Sequence, residues 1–231
     1  MTVATRLSDA TAEVVRPTAS GIVHLGVGAF HRAHQAAFTY EAALLTGETN
    51  WGITGFTQRS NTVVEQLAPQ DGLFTLVQKG TEETTATVVG SMLDVRNAAA
   101  DPGAVVEAIA DPATHIVTLT VTEKGYRLDP ASGRLRLDDP EIAADLAGRP
   151  PRTVAGQLVA GLARRMAGDA PLTVLCCDNL PSNGRILSEL VSAFVEARGM
   201  NDGLAEWISR RVAFPSSMVD RIVPATTDED R

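Results

Sequence analysis

The chain predicts an α/β fold, doubly wound about a mostly parallel sheet, on the strength of three observations. Strand-length apolar runs alternate with amphipathic helical stretches along most of its 231 residues, the pattern of βαβ units. The first run, Ile22-Val-His-Leu25, passes through Gly26-x-Gly28 straight into a helix-like stretch, an order that brings backbone close to a phosphate. Two later runs end directly in polar clusters, Thr122-Glu-Lys-Gly-Tyr126 and Asp178-Asn179. Open α/β sheets bind ligands along that carboxyl edge.

The elements follow in order. After the first strand, Ala33, Ala36, Tyr40 and Leu44 recur at helical spacing, and the helix ends before Gly47. Residues 52–57 read as a second strand, and a short helix carries Val63, Val64 and Leu67. The right-handed crossover rule makes the two strands parallel neighbours. Residues 73–79 and 84–92 predict a hairpin around Gly80, an antiparallel addition to the sheet. Asp101-Pro102 opens a helix to about Ala110, a side-chain acceptor followed by proline at the first helical position. Residues 115–121 and 172–176 are further β-branched, buried strands, with helices expected at 140–146, 153–167, 185–198 and 202–211.

Composition narrows the function. A formal charge of −8 argues against nucleic acid, whose phosphates call for a basic face. No apolar run approaches the ~20 residues that span a bilayer. Residues 1–16 are polar and lack the apolar core of a secretory signal, so a cytoplasmic location is expected. The two cysteines, Cys176 and Cys177, are adjacent, which excludes a disulfide framework and suits a reducing compartment.

The glycine turn departs from the dinucleotide fingerprint in two places. The third glycine is replaced by His31, and the acid that ends the second strand is replaced by Thr57-Gln-Arg-Ser-Asn61. Arg59 is then either a solvated loop charge or a receiver for a 2′-phosphate, so NAD leads NADP only narrowly. His31 and His34 stand one helical turn apart, a spacing open to a metal. No third ligand completes the pair, and no metal is expected. A Tyr-x-x-x-Lys pair is absent, since Leu44 follows Tyr40 and Pro130 follows Tyr126 at that spacing. The Cys/His set of a zinc alcohol dehydrogenase is absent too.

Four segments together carry a resemblance: Gly-Val-Gly-Ala-Phe-His-Arg-Ala-His-Gln (26–35), Thr-Val-Thr-Glu-Lys-Gly-Tyr (120–126), Cys-Asp-Asn-Leu-Pro-Ser-Asn-Gly (177–184) and Phe-Pro-Ser-Ser-Met-Val-Asp-Arg-Ile-Val-Pro (214–224). In this order they resemble the mannitol dehydrogenase family, long-chain polyol dehydrogenases that include fructuronate and tagaturonate reductases. The resemblance implies a Rossmann-type domain over residues 1–224, with 225–231 opening a linker to a C-terminal helical domain. It implies metal-independent hydride transfer between NAD(P) and C2 of a polyol or ketose, or C5 of a hexuronate. Gly26, Gly28, Ala29, Phe30 and His31 would lie along the dinucleotide, with Thr122, Glu123 and Arg59 at its edges. Asn179 would polarise the substrate oxygen, and Asp220 would stand in the active-site region. The family's acid/base lysine, within Lys-x-x-x-x-Asn-x-x-His, is not in these residues: Thr84 follows Lys79 and Asp129 follows Lys124 at the asparagine spacing. The chain is thus expected to be the cofactor half of an enzyme acting on D-mannonate/D-fructuronate or D-mannitol/D-fructose. The alternative is a stand-alone nucleotide-binding module without catalysis.

Overall fold

The computed structural model describes residues 6–199, 203–224 and 227. Its strands are β1 (Ser20–Leu25), β2 (Gly52–Thr57), β3 (Phe74–Lys79), β4 (Thr84–Val89), β5 (Met92–Asn97), β6 (Ile116–Leu119), β7 (Leu172–Cys176) and β8 (Val212–Ala213). Six of them form one sheet in the order β5-β2-β1-β6-β7-β8, and every pairing in it is parallel. The order reverses between β1 and β6, which opens a crevice beyond their carboxyl ends. The doubly wound fold is therefore the one the alternation predicts.

The expected hairpin exists, but it stands apart. β3 and β4 pair antiparallel in a two-stranded sheet of their own, and Met92, expected in the second arm, instead begins β5 beside β2. The break falls at Gly90-Ser91. The Gly90 carbonyl accepts from Arg16, and Ser91 Oγ donates to Ala36 O at 2.7 Å. A Gly90 carbonyl bound to the N-terminal segment is unavailable to a continuous hairpin arm, and the Ser91 hydroxyl ties the break to the first helix. β8, two residues long, is also an addition to the predicted elements.

Helical residues pack both sheet faces. On one side α2 (Ala37–Thr46) and α3 (Thr62–Leu67) share a core with Ile22, Ile53 and Met92. On the other, α4 (Pro102–Ala110), α5 (Pro140–Leu146), α6 (Val154–Arg165), α7 (Asn183–Arg198) and α8 (Leu204–Arg211) enclose Val23, Phe56, Val117 and Val174. Sequence signals fix several ends: Asp101 caps α4 through Ala104 N, Thr153 caps α6 through Gly156 N, and Gly47 closes α2 at φ +75°. The helix expected from 202 begins outside the described residues, where most of the expected 225–231 linker also lies. Leu44 corrects an expectation, being half exposed while Ala36, Ala37 and Tyr40 are buried. Tyr40 and Leu44 share one face of α2, but none of residues 41–46 is buried, so the last turns of this helix run past the core whatever their phase.

Arg165 sews the amino edge. Only 2% exposed, it donates to the carbonyls of Ile109, Asp111, Thr114, Ala170 and Pro171, joining the end of α4 to the entries of β6 and β7. No helix among the described residues is long and apolar enough to cross a membrane.

Candidate dinucleotide site

The turn after β1 needs its two glycines for different reasons. Gly26 has φ +102°, and a Cβ there would collide with the carbonyl oxygen of Thr120. Only glycine fits. Gly28 is extended, with φ −137° and ψ −173°, and a Cβ there meets nothing nearer than Gly26 O at 3.7 Å. Its missing side chain leaves open space. The N–H groups of Gly26 and Val27 both point to Phe56 O, at 2.7 and 3.3 Å, tying the turn to the end of β2. The helix then opens with α1 (Ala29–His31), which no side chain caps. Its first-turn N–H groups are available to an anion.

Two stacked histidines lie beneath this turn. His24 bridges two hydroxyls, Nδ1 to Thr118 Oγ1 at 2.7 Å and Nε2 to Thr120 Oγ1 at 2.9 Å. Thr118 Oγ1 also lies 2.9 Å from Gln35 Oε1 and Thr120 Oγ1 2.8 Å from Gly26 O. A neutral His24 has one N–H, so one hydroxyl donates to its bare nitrogen while the other donates onward, and the network braces the turn from β6. His31 stacks on His24 with ring centroids 3.5 Å apart and planes 13° from parallel. Burial holds His24 down to about 3. Burial first, then the neighbouring His24 and Arg32, holds His31 below its ordinary range. Both rings are neutral at physiological pH. Neither nitrogen of His31 reaches a partner in hydrogen-bond geometry, Gln35 being the polar side chain that acts on it, and Arg32 Nη1 and Gln58 Nε2 are likewise buried and unpaired. Among the described residues the remaining such atom is Gln157 Oε1, on α6. Buried polar groups are ordinarily paired, so this concentration at the start of the first helix and just past β2, the strand that holds the turn, marks a place suited to a ligand. The uncapped helix start, the open side of Gly28 and these orphaned atoms fit a diphosphate and its flanking groups.

At the ends of β6 and β7, Asp178 organises the backbone. Its carboxylate accepts from Val121 N and Thr122 N at 3.0 Å each, and from Tyr126 OH at 2.6 Å. Thr122 is thereby held at φ +66°, and burial, then Asp178, raises the Tyr126 phenol far above its ordinary range. Asn183 is a clamp: its amide donates to Cys176 O, Asp178 O and Ser217 O while its carbonyl accepts from Ser217 N. Gly184 lets the chain at Phe214 and Pro215 pass where a Cβ would collide. The two segments 177–184 and 214–221 are thus locked together. A cleft of about 760 Å³ opens between them and the first helix, lined by Phe30, His31, Thr120, Cys177 and Asp220 among others. Burial pushes the Cys177 thiol up to about 12, so it stays protonated there.

At the end of β2, Arg59 does not stand free. Its Nη2 lies 3.1 Å from Glu141 Oε2, and the same carboxylate oxygen is held by Arg127. Asn97 Nδ2, from the end of β5, fixes the loop by donating to Arg59 O and to Asn61 Oδ1.

The structure therefore brings Phe30, His31 and Asp220 to one cleft and sets Gly26, Gly28 and Ala29 at its strand–turn–helix. Thr122 and Glu123 stand past β6 with exposed side chains. Asn179 is exposed just beyond β7, without a hydrogen bond among the described residues and outside the cleft lining. His31 and His34 do not converge: His34 Nδ1 meets Phe30 O at 2.9 Å, while His31 faces His24. Sequence reasoning passed over Asp178, Asn183, Ser217, Asn97 and Glu141 as positioning groups. Asp178 and Asn183 had a local signal, polar residues directly after a buried strand; the other three act across long sequence distances.

Residues 20–231 match the family model described as the mannitol dehydrogenase Rossmann domain. The chain is 44% identical over 215 residues to a mannitol 2-dehydrogenase of Pyrenophora tritici-repentis, covering 91% of this chain and 38% of that protein. It is 40% identical over 237 residues to the D-mannonate oxidoreductase of Escherichia coli, covering 97% and 48%. Among solved structures, the Pseudomonas fluorescens mannitol 2-dehydrogenase in ternary complex with NAD and D-mannitol superposes with a TM-score of 0.87 at 39% identity, over 98% of this chain and 49% of that one. The chain spans between about two fifths and half of the length of these relatives. It belongs to the mannitol dehydrogenase family and carries that family's Rossmann domain.

Proposed function

We propose that this chain is the dinucleotide-binding half of an NAD-dependent oxidoreductase that interconverts a sugar alcohol or aldonate with its ketose or ketouronate. The observation that carries the reading is the strand–turn–helix of Leu25–His31, with its uncapped helix start beside the buried, unpaired atoms of His31, Arg32 and Gln58. NAD, when bound, supplies the hydride acceptor or donor. The backbone of Gly28–Phe30 holds the diphosphate, and His31 offers a neutral ring edge in the cleft. Asn179 donates a hydrogen bond to the substrate oxygen as negative charge develops there, and Asp220 lines the approach. The relatives with mannitol and mannonate in their names support the substrate class.

Neither lysine of this chain serves as the acid/base, since neither Lys79 nor Lys124 opens the required pattern. Proton transfer belongs to a C-terminal helical domain joined through a linker that opens at 225–231, and that domain would close the cleft against Asp220. Without that group, turnover should fall by about 10²–10⁴-fold or more.

Calorimetric titration of this chain with NAD, NADP and S-adenosylmethionine tests the reading. Saturable one-to-one binding of NAD is expected. Binding of S-adenosylmethionine alone, or of none of the three, overturns it.

A further inference from the structure

We propose that Glu141 supplies, from a distant element, the carboxylate that the end of β2 lacks, and that it sets the site's preference for a dinucleotide without a 2′-phosphate. The inference rests on the dinucleotide reading above and adds a residue to it. In dinucleotide-binding sheets an acid after the second strand receives the ribose hydroxyls and repels a 2′-phosphate. Here that position holds Thr57-Gln-Arg-Ser-Asn61, with one cation and no acid. A bare Arg59 would favour the phosphorylated cofactor.

The structure does not leave it bare. Glu141, 82 positions along the chain on the first turn of α5, places Oε2 3.1 Å from Arg59 Nη2. An exposed ion pair of this kind alone would mean little, since Arg59's side chain is 73% exposed. Glu141, however, is held from behind. Arg127 grips the same carboxylate oxygen and with its other nitrogen binds the buried Asp139 at 2.7 Å. Asp139 in turn caps α5 through the N–H groups of Glu141 and Ile142. The carboxylate is thus oriented by a buried base, and the backbone of Arg59 is fixed independently by Asn97. Glu141 both neutralises the cation that would attract a 2′-phosphate and presents its own negative charge at the end of β2.

The test is titration of the full 231-residue chain with NAD and NADP. Wild type is expected to favour NAD. Glu141→Gln frees Arg59 and should raise NADP affinity about tenfold relative to NAD, a gain that Arg59→Ala in the same chain removes. Arg59→Ala alone leaves the carboxylate paired with Arg127 only, removes the cation nearest the site and should weaken NADP a further ~5-fold while NAD is retained. This second variant decides the matter should Glu141→Gln fail to fold. An NADP-to-NAD ratio that neither variant moves, in a chain that still binds NAD, overturns the role of Glu141 and leaves the dinucleotide reading standing. Failure of wild type to bind either cofactor overturns both.

Discussion

At the amino edge of the sheet, the guanidinium of Arg165 commits its donors to five backbone carbonyls around the entries to β6 and β7. At the carboxyl edge, by contrast, His31, Arg32 and Gln58 keep buried polar atoms without partners, and α1 begins without a cap. Both edges belong to one sheet and both expose backbone ends. One is saturated from within the chain; the other is left for something outside it. Buried polar groups that go unmet weaken a fold, so their concentration at the ligand-binding edge, with Gln157 Oε1 on α6 the remaining case among the described residues, separates what holds the domain from what it is for.

Breaking the saturated edge should have the largest effect. Arg165→Met strips five carbonyls of their donor and should cost about 4 kcal/mol in urea denaturation, with NAD affinity unchanged in whatever fraction stays folded. Gly26→Ala forces a side chain into φ +102° against Thr120 O and should cost about 3 kcal/mol. Gly28→Asp sharpens the contrast within one turn. Its site is extended and open, so stability should change by less than about 1 kcal/mol. NAD affinity should nevertheless fall at least ~10-fold, because a carboxylate now faces the diphosphate. Equal stability losses at both glycines would dissolve the distinction.

The histidine pair gives a pH signature. Unfolded, His24 takes a proton near 6.5; folded, it does so only near 3. Below 6.5 the unfolded chain therefore binds the extra proton, and stability drops as pH falls toward 3, by about 1.4 kcal/mol per pH unit for this group. Urea midpoints of wild type and His24→Asn, compared at pH 7.5 and 5.5, should diverge in that direction. The smallest expected effect is His31→Leu. Replacing an unpaired buried ring by an apolar side chain should leave stability within about 1 kcal/mol or raise it, while NAD binding weakens. A large stability loss would show that His31 holds the fold rather than the ligand.

Much of this was legible along the chain because it is local. Gly26, Gly28 and His31 fall within six residues, and Asp101-Pro102 and Thr153 cap their helices through neighbours three positions away or fewer. What escaped was non-local. The run from Thr84 to Asn97 holds two strands in two sheets, and its break at Gly90 depends on Arg16 and on the first helix. Asn183 reveals itself only when Ser217 arrives beside it, and Arg59 meets its carboxylate from α5. The Leu44 error came from the end of α2, where no residue from 41 to 46 is buried: spacing gives the face of a helix but not how far the core extends along it.

The most direct measurement of the central claim is a titration of the isotopically labelled chain with NAD, followed through its backbone amide resonances. Shifts should concentrate at Gly28, Ala29, Phe30 and His31 and at the ends of β2 and β6, while amides beside Arg165, such as Asp111 and Thr114, stay in place. Silent resonances at 28–31, or shifts centred on the Arg165 edge, would contradict it.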